Sequence, residues 1–183
     1  MTVLDLSSFA GLAAMVLITL NVLLGVLVSR NYNPARRWPG RKIPLFRIHN
    51  WTAYVALVLI LLHPALLLLH DKPKFGFGDL LYPVNSPGQS LYNSLGALTF
   101  YSLAVVVITS YFRPQLGSRP WKKIHYTAYF AAAVMFLHGT LIDPNLKGQA
   151  PDFFDGEKVL VEGCAVAILA ASAWRVRQKK KLV

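Results

Sequence analysis

Four of the five histidines in this chain lie in apolar surroundings and form two pairs of similar spacing, His49 with His63 and His125 with His138. On α-helices rising about 1.5 Å per residue, each pair spans roughly 20 Å. Fourteen residues at about 100° each bring His63 to within about 40° of His49. Thirteen residues turn His138 about 140° away from His125 on an ideal helix. The second helix is therefore expected to absorb the mismatch by tilt, a local π-bulge or different side-chain swings. A lone histidine in an apolar helix is ordinarily a core residue or an interhelical hydrogen bond. Two matched pairs are different, because polar groups at membrane depth are costly and mark function.

Zinc suits these residues poorly. The two histidines of a helix are too far apart to share one ion, and no thiolate or carboxylate accompanies them at depth. A planar macrocycle between the two helices would satisfy two imidazoles at each level and hide its own apolar faces. The expectation is two b-type haems, with iron axial ligands His49 and His125 at one level and His63 and His138 at the other. Filling both axial positions favours electron transfer over oxygen binding. Arg47, Arg119, Lys122 and Lys123 are expected to hold the haem propionates besides fixing topology. His70 reads as an interfacial side chain. The sequence has no signature of a flavin or quinone site.

The elements that position these residues are long apolar blocks. Of the 183 residues, 55% are hydrophobic. Residues 7–29, 48–70, 91–112 and 124–142 contain no Asp, Glu, Lys or Arg. Roughly 20 such residues cross a hydrocarbon core of about 30 Å. A shorter fifth segment, 158–175, carries Glu162, with Lys158 and Arg175 expected to snorkel to the interfaces. The expected fold is all-α, a polytopic transmembrane helical bundle of about five helices, with residues 1–183 forming one domain. The first helix reads as retained, since residues 1–29 have no Lys or Arg and too long an apolar run for a signal peptide. Cys164 reads as a small apolar packing residue.

Charge sorting tests that count independently. The net charge is +11, from 19 basic and 8 acidic residues. Arg30, Arg36, Arg37, Arg41, Lys42 and Arg47 lie between the first two helices. Arg113, Arg119, Lys122 and Lys123 precede the fourth, and Arg175, Arg177, Lys179, Lys180 and Lys181 close the chain. These fifteen basic residues fall on one side, and the acidic residues on or near the other. The positive-inside rule then places the amino terminus outside and the carboxyl terminus in the cytoplasm of a plasma (bacterial inner) membrane. The charge excess is topogenic, so no nucleic-acid partner is expected; lipid is.

The histidines also sit in an internal repeat. Ile48-His49-Asn50-Trp51-Thr52-Ala53-Tyr54 and Ile124-His125-Tyr126-Thr127-Ala128-Tyr129 both read I-H-x-T-A-Y once one residue is removed from the first. Each runs on to Leu-His, followed by a helix-perturbing Pro64 or Gly139. A basic Pro/Gly loop precedes each, Arg36-Arg37-Trp38-Pro39-Gly40 in one case and Leu116-Gly117-Ser118-Arg119-Pro120-Trp121 in the other. Helices 1–2 and 3–4 thus read as two copies of one hairpin.

The stretch ITSYFRPQLGSRPWKKIHYTAYFAAAVMFLHGTLI from Ile108 resembles the ferric-reductase-like transmembrane domain family. There a basic loop ending in W-x-x-[LI]-H enters a helix with a second histidine about thirteen residues later. The family includes bacterial haem-binding subunits of the methionine-sulfoxide reductase system and the membrane portions of ferric reductases and NADPH oxidases. The resemblance covers roughly residues 8–175 and implies the same four haem ligands in the same pairs. It departs in helix number, since the family core commonly has six. No Gly-rich nucleotide loop occurs, so the flavin and nicotinamide domain of the oxidases is expected to be absent. The expected function is transmembrane electron transfer as a subunit of an oxidoreductase, with a separate redox partner protein or a quinol as donor or acceptor. Two other readings stay open. One is a non-redox scaffold subunit whose histidines bond between helices. The other is a proton or substrate transporter, which lacks a midplane Asp or Glu.

Overall fold

The computed structural model describes residues 1–30, 32, 43–147, 149–150 and 152–180, the last three by backbone alone. The basic-loop residues Arg36, Arg37, Trp38, Pro39, Gly40, Arg41 and Lys42 lie outside the described residues. So do Lys181 and the side chains of Lys179 and Lys180.

Helix α1 spans Val3–Ser29 and starts at a capping box: Thr2 Oγ1 accepts from the Asp5 amide and Asp5 accepts from the Thr2 amide. Two otherwise unpaired amides of the first turn are thereby satisfied. α2 spans Leu45–Leu66, runs through Pro64 and tightens into a 3₁₀ turn over Leu67–Leu69. His70 therefore follows the helix rather than ending it. After a short α3 (Phe77–Leu81) come α4 (Ser90–Tyr111) and α5 (Arg113–Leu116). α6 (Ser118–His125), α7 (Thr127–Leu141) and α8 (Gly156–Lys180) complete the chain.

The structure is an all-helical, polytopic bundle. Among the described residues four helices are long and apolar enough to cross a membrane: Val3–Ser29, Leu45–Leu69, Ser90–Tyr111 and Gly156–Arg177. Lipid-facing positions are accordingly apolar and exposed, among them Val58, Leu61, Val105 and Leu169. This is a multi-pass membrane protein.

The continuous helix expected over 124–142 is not formed. It divides at Tyr126 into α6 and α7, and the 15 residues of α7 cover only about 22 Å. Tyr126 keeps right-handed helical dihedrals (φ −69°, ψ −16°) and its amide still bonds to Lys122 O, so the division is a local irregularity in the ladder. It falls within the thirteen-residue interval between His125 and His138, where the angular mismatch of an ideal helix has to be absorbed. Arg119, Lys122 and Lys123 all lie on the α6 side of it.

α1 packs along α2 and α4 packs along α7; α2–α4 and α1–α7 contacts join the two hairpins, and α8 packs against both α1 and α7. Met15, Ile18, Ala56, Met135 and Val161 form the buried centre, one or two residues from each of α1, α2, α7 and α8, and Leu103 of α4 packs against it. Gly139 sits inside α7 as a packing residue and not as a helix breaker. A Cβ there would lie 2.6 Å from Met15 Cε and 3.5 Å from Val161.

Lys158 corrects another expectation. It does not snorkel: it is 5% exposed, and its Nζ donates to Gly139 O at 2.8 Å and Ile142 O at 2.6 Å. A buried cation thus closes the last turn of α7 from the first turn of α8. Lys158→Met leaves those carbonyls with one partner fewer, at about 1–3 kcal/mol each. The variant is expected to melt several degrees lower than the parent in detergent, with Lys158→Arg retaining most of the loss. Equal melting of Lys158→Met and the parent would refute this role.

Candidate functional site

The repeat brings the four histidines together in two levels. The rings of His49 (α2) and His125 (α6) have centroids 6.2 Å apart, with planes at 63°. Those of His63 (α2) and His138 (α7) are likewise 6.2 Å apart, with planes at 75°. Each level opens on a cavity. One, of about 570 Å³, is lined by His49, His125, Gly25, Trp121, Tyr126 and Arg175, among others. The other, of about 250 Å³, is lined by His63, His138, Gly11, Gly96, Phe75 and Lys158, among others. Ile18 and Ile60 line both and separate them.

Neighbouring helices hold the rings by one recurrent device. His63 Nδ1 donates to Ser7 O at 2.7 Å, His49 Nδ1 to Asn21 O at 3.0 Å and His138 Nδ1 to Tyr92 O at 2.7 Å. Each of those carbonyls lies four residues before a glycine against which the same ring packs. A Cβ on Gly11 would stand 3.0 Å from His63, one on Gly25 3.3 Å from His49, and one on Gly96 3.0 Å from His138. Only a residue without a side chain admits the imidazole that close to the helix backbone. The Ser7 hydroxyl donates to His63 O, and the Asn21 side-chain amide donates to His49 O and Thr52 Oγ1.

The fourth position departs from the pattern. Fourteen residues separate Gly11 from Gly25, and fourteen residues after Gly96 stands Ser110. Ser110 Oγ donates to Val106 O at 2.6 Å, so the hydroxyl is left to accept from His125 Nδ1 at 3.2 Å. Trp121 Nε1 donates to the same oxygen, and its ring lies 4.9 Å from that of His125 at 32°. Arg113 sits 4.3 Å over the Trp121 ring.

Chemistry follows from the tautomer. A carbonyl oxygen only accepts, and the Ser110 hydroxyl already spends its proton, so Nδ1 carries the hydrogen in all four rings. Nε2 keeps its lone pair. This is the usual orientation of a metal-bound imidazole, its distal N–H anchored by a second group. The spacing agrees. With about 2.0 Å from metal to nitrogen and roughly 1.1 Å from nitrogen to ring centre, imidazoles on opposite sides of one ion have centroids about 6.2 Å apart. A direct N–H···N bond would bring them to about 5.1 Å. Among the described residues no three His, Cys, Asp or Glu side chains gather as a metal site. A metal held between two such imidazoles would take its remaining donors from a ligand such as a porphyrin.

The cationic residues are distributed differently from expectation. Lys122 lines the larger cavity, whereas Arg47, Arg119 and Lys123 do not and are exposed. Arg113 and Arg175 line it instead. Arg175 donates to the hydroxyls of Tyr129 and Tyr126, both at 3.1 Å, and so ties α8 to the α6–α7 break. His70 lines neither cavity. Sequence reasoning missed Gly11, Gly25, Gly96 and Ser110. Their signal was present: two pairs of small residues, each fourteen apart, in the helices preceding the histidine helices.

No curated protein and no solved structure matches the chain. A family model does, over residues 10–136, which include His49, His63 and His125 and stop two residues before His138. On that match, covering more than two thirds of its length, the chain belongs to the family of the ferric reductase like transmembrane component.

Proposed function

We propose that the chain is a dihaem b-type cytochrome subunit that conducts electrons between a donor at one membrane face and an acceptor at the other. The observation that carries this reading is the pair of 6.2 Å imidazole contacts, each with Nε2 free and Nδ1 anchored. Family membership supports transmembrane electron transfer in general.

His49 and His125 would hold one haem, and His63 and His138 the other. Iron with both axial positions filled exchanges single electrons and leaves no site for oxygen. The chain's own residues do the rest. The four Nδ1–H bonds keep each imidazole in one tautomer and raise its basicity. Met15, Ile18 and Ile60 exclude water from the space between the levels. Arg113, Lys122 and Arg175 give the larger cavity positive charge suited to propionates. In this reading the His49–His125 end, with its basic loops, faces the cytoplasm. Donor and acceptor are a separate protein or a quinol.

Protein purified from haem-sufficient cells is expected to hold two haems per chain by extraction and to show a sharp α-band on reduction. His49→Ala and His125→Ala should each remove one haem, and His63→Ala and His138→Ala the other. Folded protein without pigment would refute the reading. Ser110→Ala takes away the acceptor for His125 Nδ1–H and should raise the midpoint potential of one haem by on the order of 20–60 mV, the equivalent of one hydrogen bond. Gly96→Val fills the space of the His138 ring and should instead empty the other site.

A further inference from the structure

α6 carries an exposed basic face of which Arg119 and Lys123 reach neither cavity, while Lys122 also borders the larger one. Arg119 and Lys123 stand four apart, with Lys122 beside them, so the three cations share one side of a two-turn helix. All three are exposed. Among the described residues no carboxylate bonds to them. Exposed aromatic rings flank the helix: Tyr111 and Phe112 at the end of α4 and Tyr126 at the break. Cations interleaved with exposed aromatics at the end of spanning helices match the boundary between hydrocarbon and headgroups.

The inward face of the same helix matters to the site. His125 is its last residue, and Trp121 stacks on His125 and bonds to Ser110. α6 meets α7 at Tyr126, and its inward face is held by the Trp121–Ser110 contact and, at the junction, by Arg175 on the Tyr126 and Tyr129 hydroxyls. Its basic face has no such tether among the described residues.

We propose that Arg119, Lys122 and Lys123 bind anionic phospholipid headgroups, and that lipid held there clamps α6 and with it the His125 imidazole. The consequence for iron rests on the function proposed above; the lipid site does not. An anionic lipid surface is favoured over an acidic protein because the charges sit among exposed aromatics in a helix at the membrane boundary.

The test places the full chain in nanodiscs of phosphatidylcholine with and without phosphatidylglycerol. Spin-labelled lipids should show phosphatidylglycerol immobilised in preference to phosphatidylcholine, by on the order of 100-fold for three cations near an anionic surface. The triple variant Arg119→Gln, Lys122→Gln, Lys123→Gln should lose that preference. Amide exchange over residues 118–126 should slow with phosphatidylglycerol in the parent and not in the variant. Equal immobilisation of both lipids, or a preference surviving in the triple variant, overturns the lipid site. A preference without slowed exchange overturns the clamp. Both readouts operate in haem-free protein, so absence of haem bears only on the proposed function. Capture of an acidic soluble protein at these residues, with no lipid preference, also counts against the proposal.

Discussion

An imidazole buried among apolar helices needs a partner for its N–H, and here that partner is found on the preceding helix of the same hairpin. Three of the four rings donate to a main-chain carbonyl that already serves its own helix, at a turn where glycine opens the backbone. This bond decides much else. It fixes the tautomer, leaves the Nε2 lone pair free and dictates which residues of α1 and α4 must be small. It also sets how closely α1 approaches α2 and how closely α4 approaches α7.

The two levels share this plan but differ in their supports. At the His63–His138 end both anchors are carbonyls, and Lys158 ties α7 to α8 just past the ring. At the His49–His125 end one anchor is a hydroxyl, and the ring it holds rides on a short helix. That helix is braced by Trp121 against α4, and the break after it by Arg175 of α8. The second level depends on side chains where the first depends on backbone.

Much of this was legible in the residues. Apolar block lengths gave the polytopic bundle, and the repeated I-H-x-T-A-Y gave two hairpins with paired histidines. Three things escaped for identifiable reasons. Ile124-His125-Tyr126-Thr127 is compatible with an unbroken helix, and the division at Tyr126 is a local irregularity of hydrogen bonding that residue types do not announce. Lys158 heads an apolar helix, and sequence position alone assigns such a lysine to the interface; only the open carbonyls of α7 draw it inside. Gly11, Gly25 and Gly96 are unremarkable in membrane helices until paired with the histidines opposite. Then position numbers in the first hairpin sum identically for Gly11–His63 and Gly25–His49, as antiparallel register requires.

That register makes α1 and α4 the measuring rods of the site. Fourteen residues are close to four whole helical turns, so small residues so placed share a face about 21 Å apart. One residue inserted into either interval would rotate everything beyond it by about 100° and move the seat away from its imidazole. The interval between His125 and His138 differs in that the α6–α7 junction falls inside it. A one-residue difference in spacing is thus confined to the segment that holds a ladder irregularity, while the facing helix keeps fourteen.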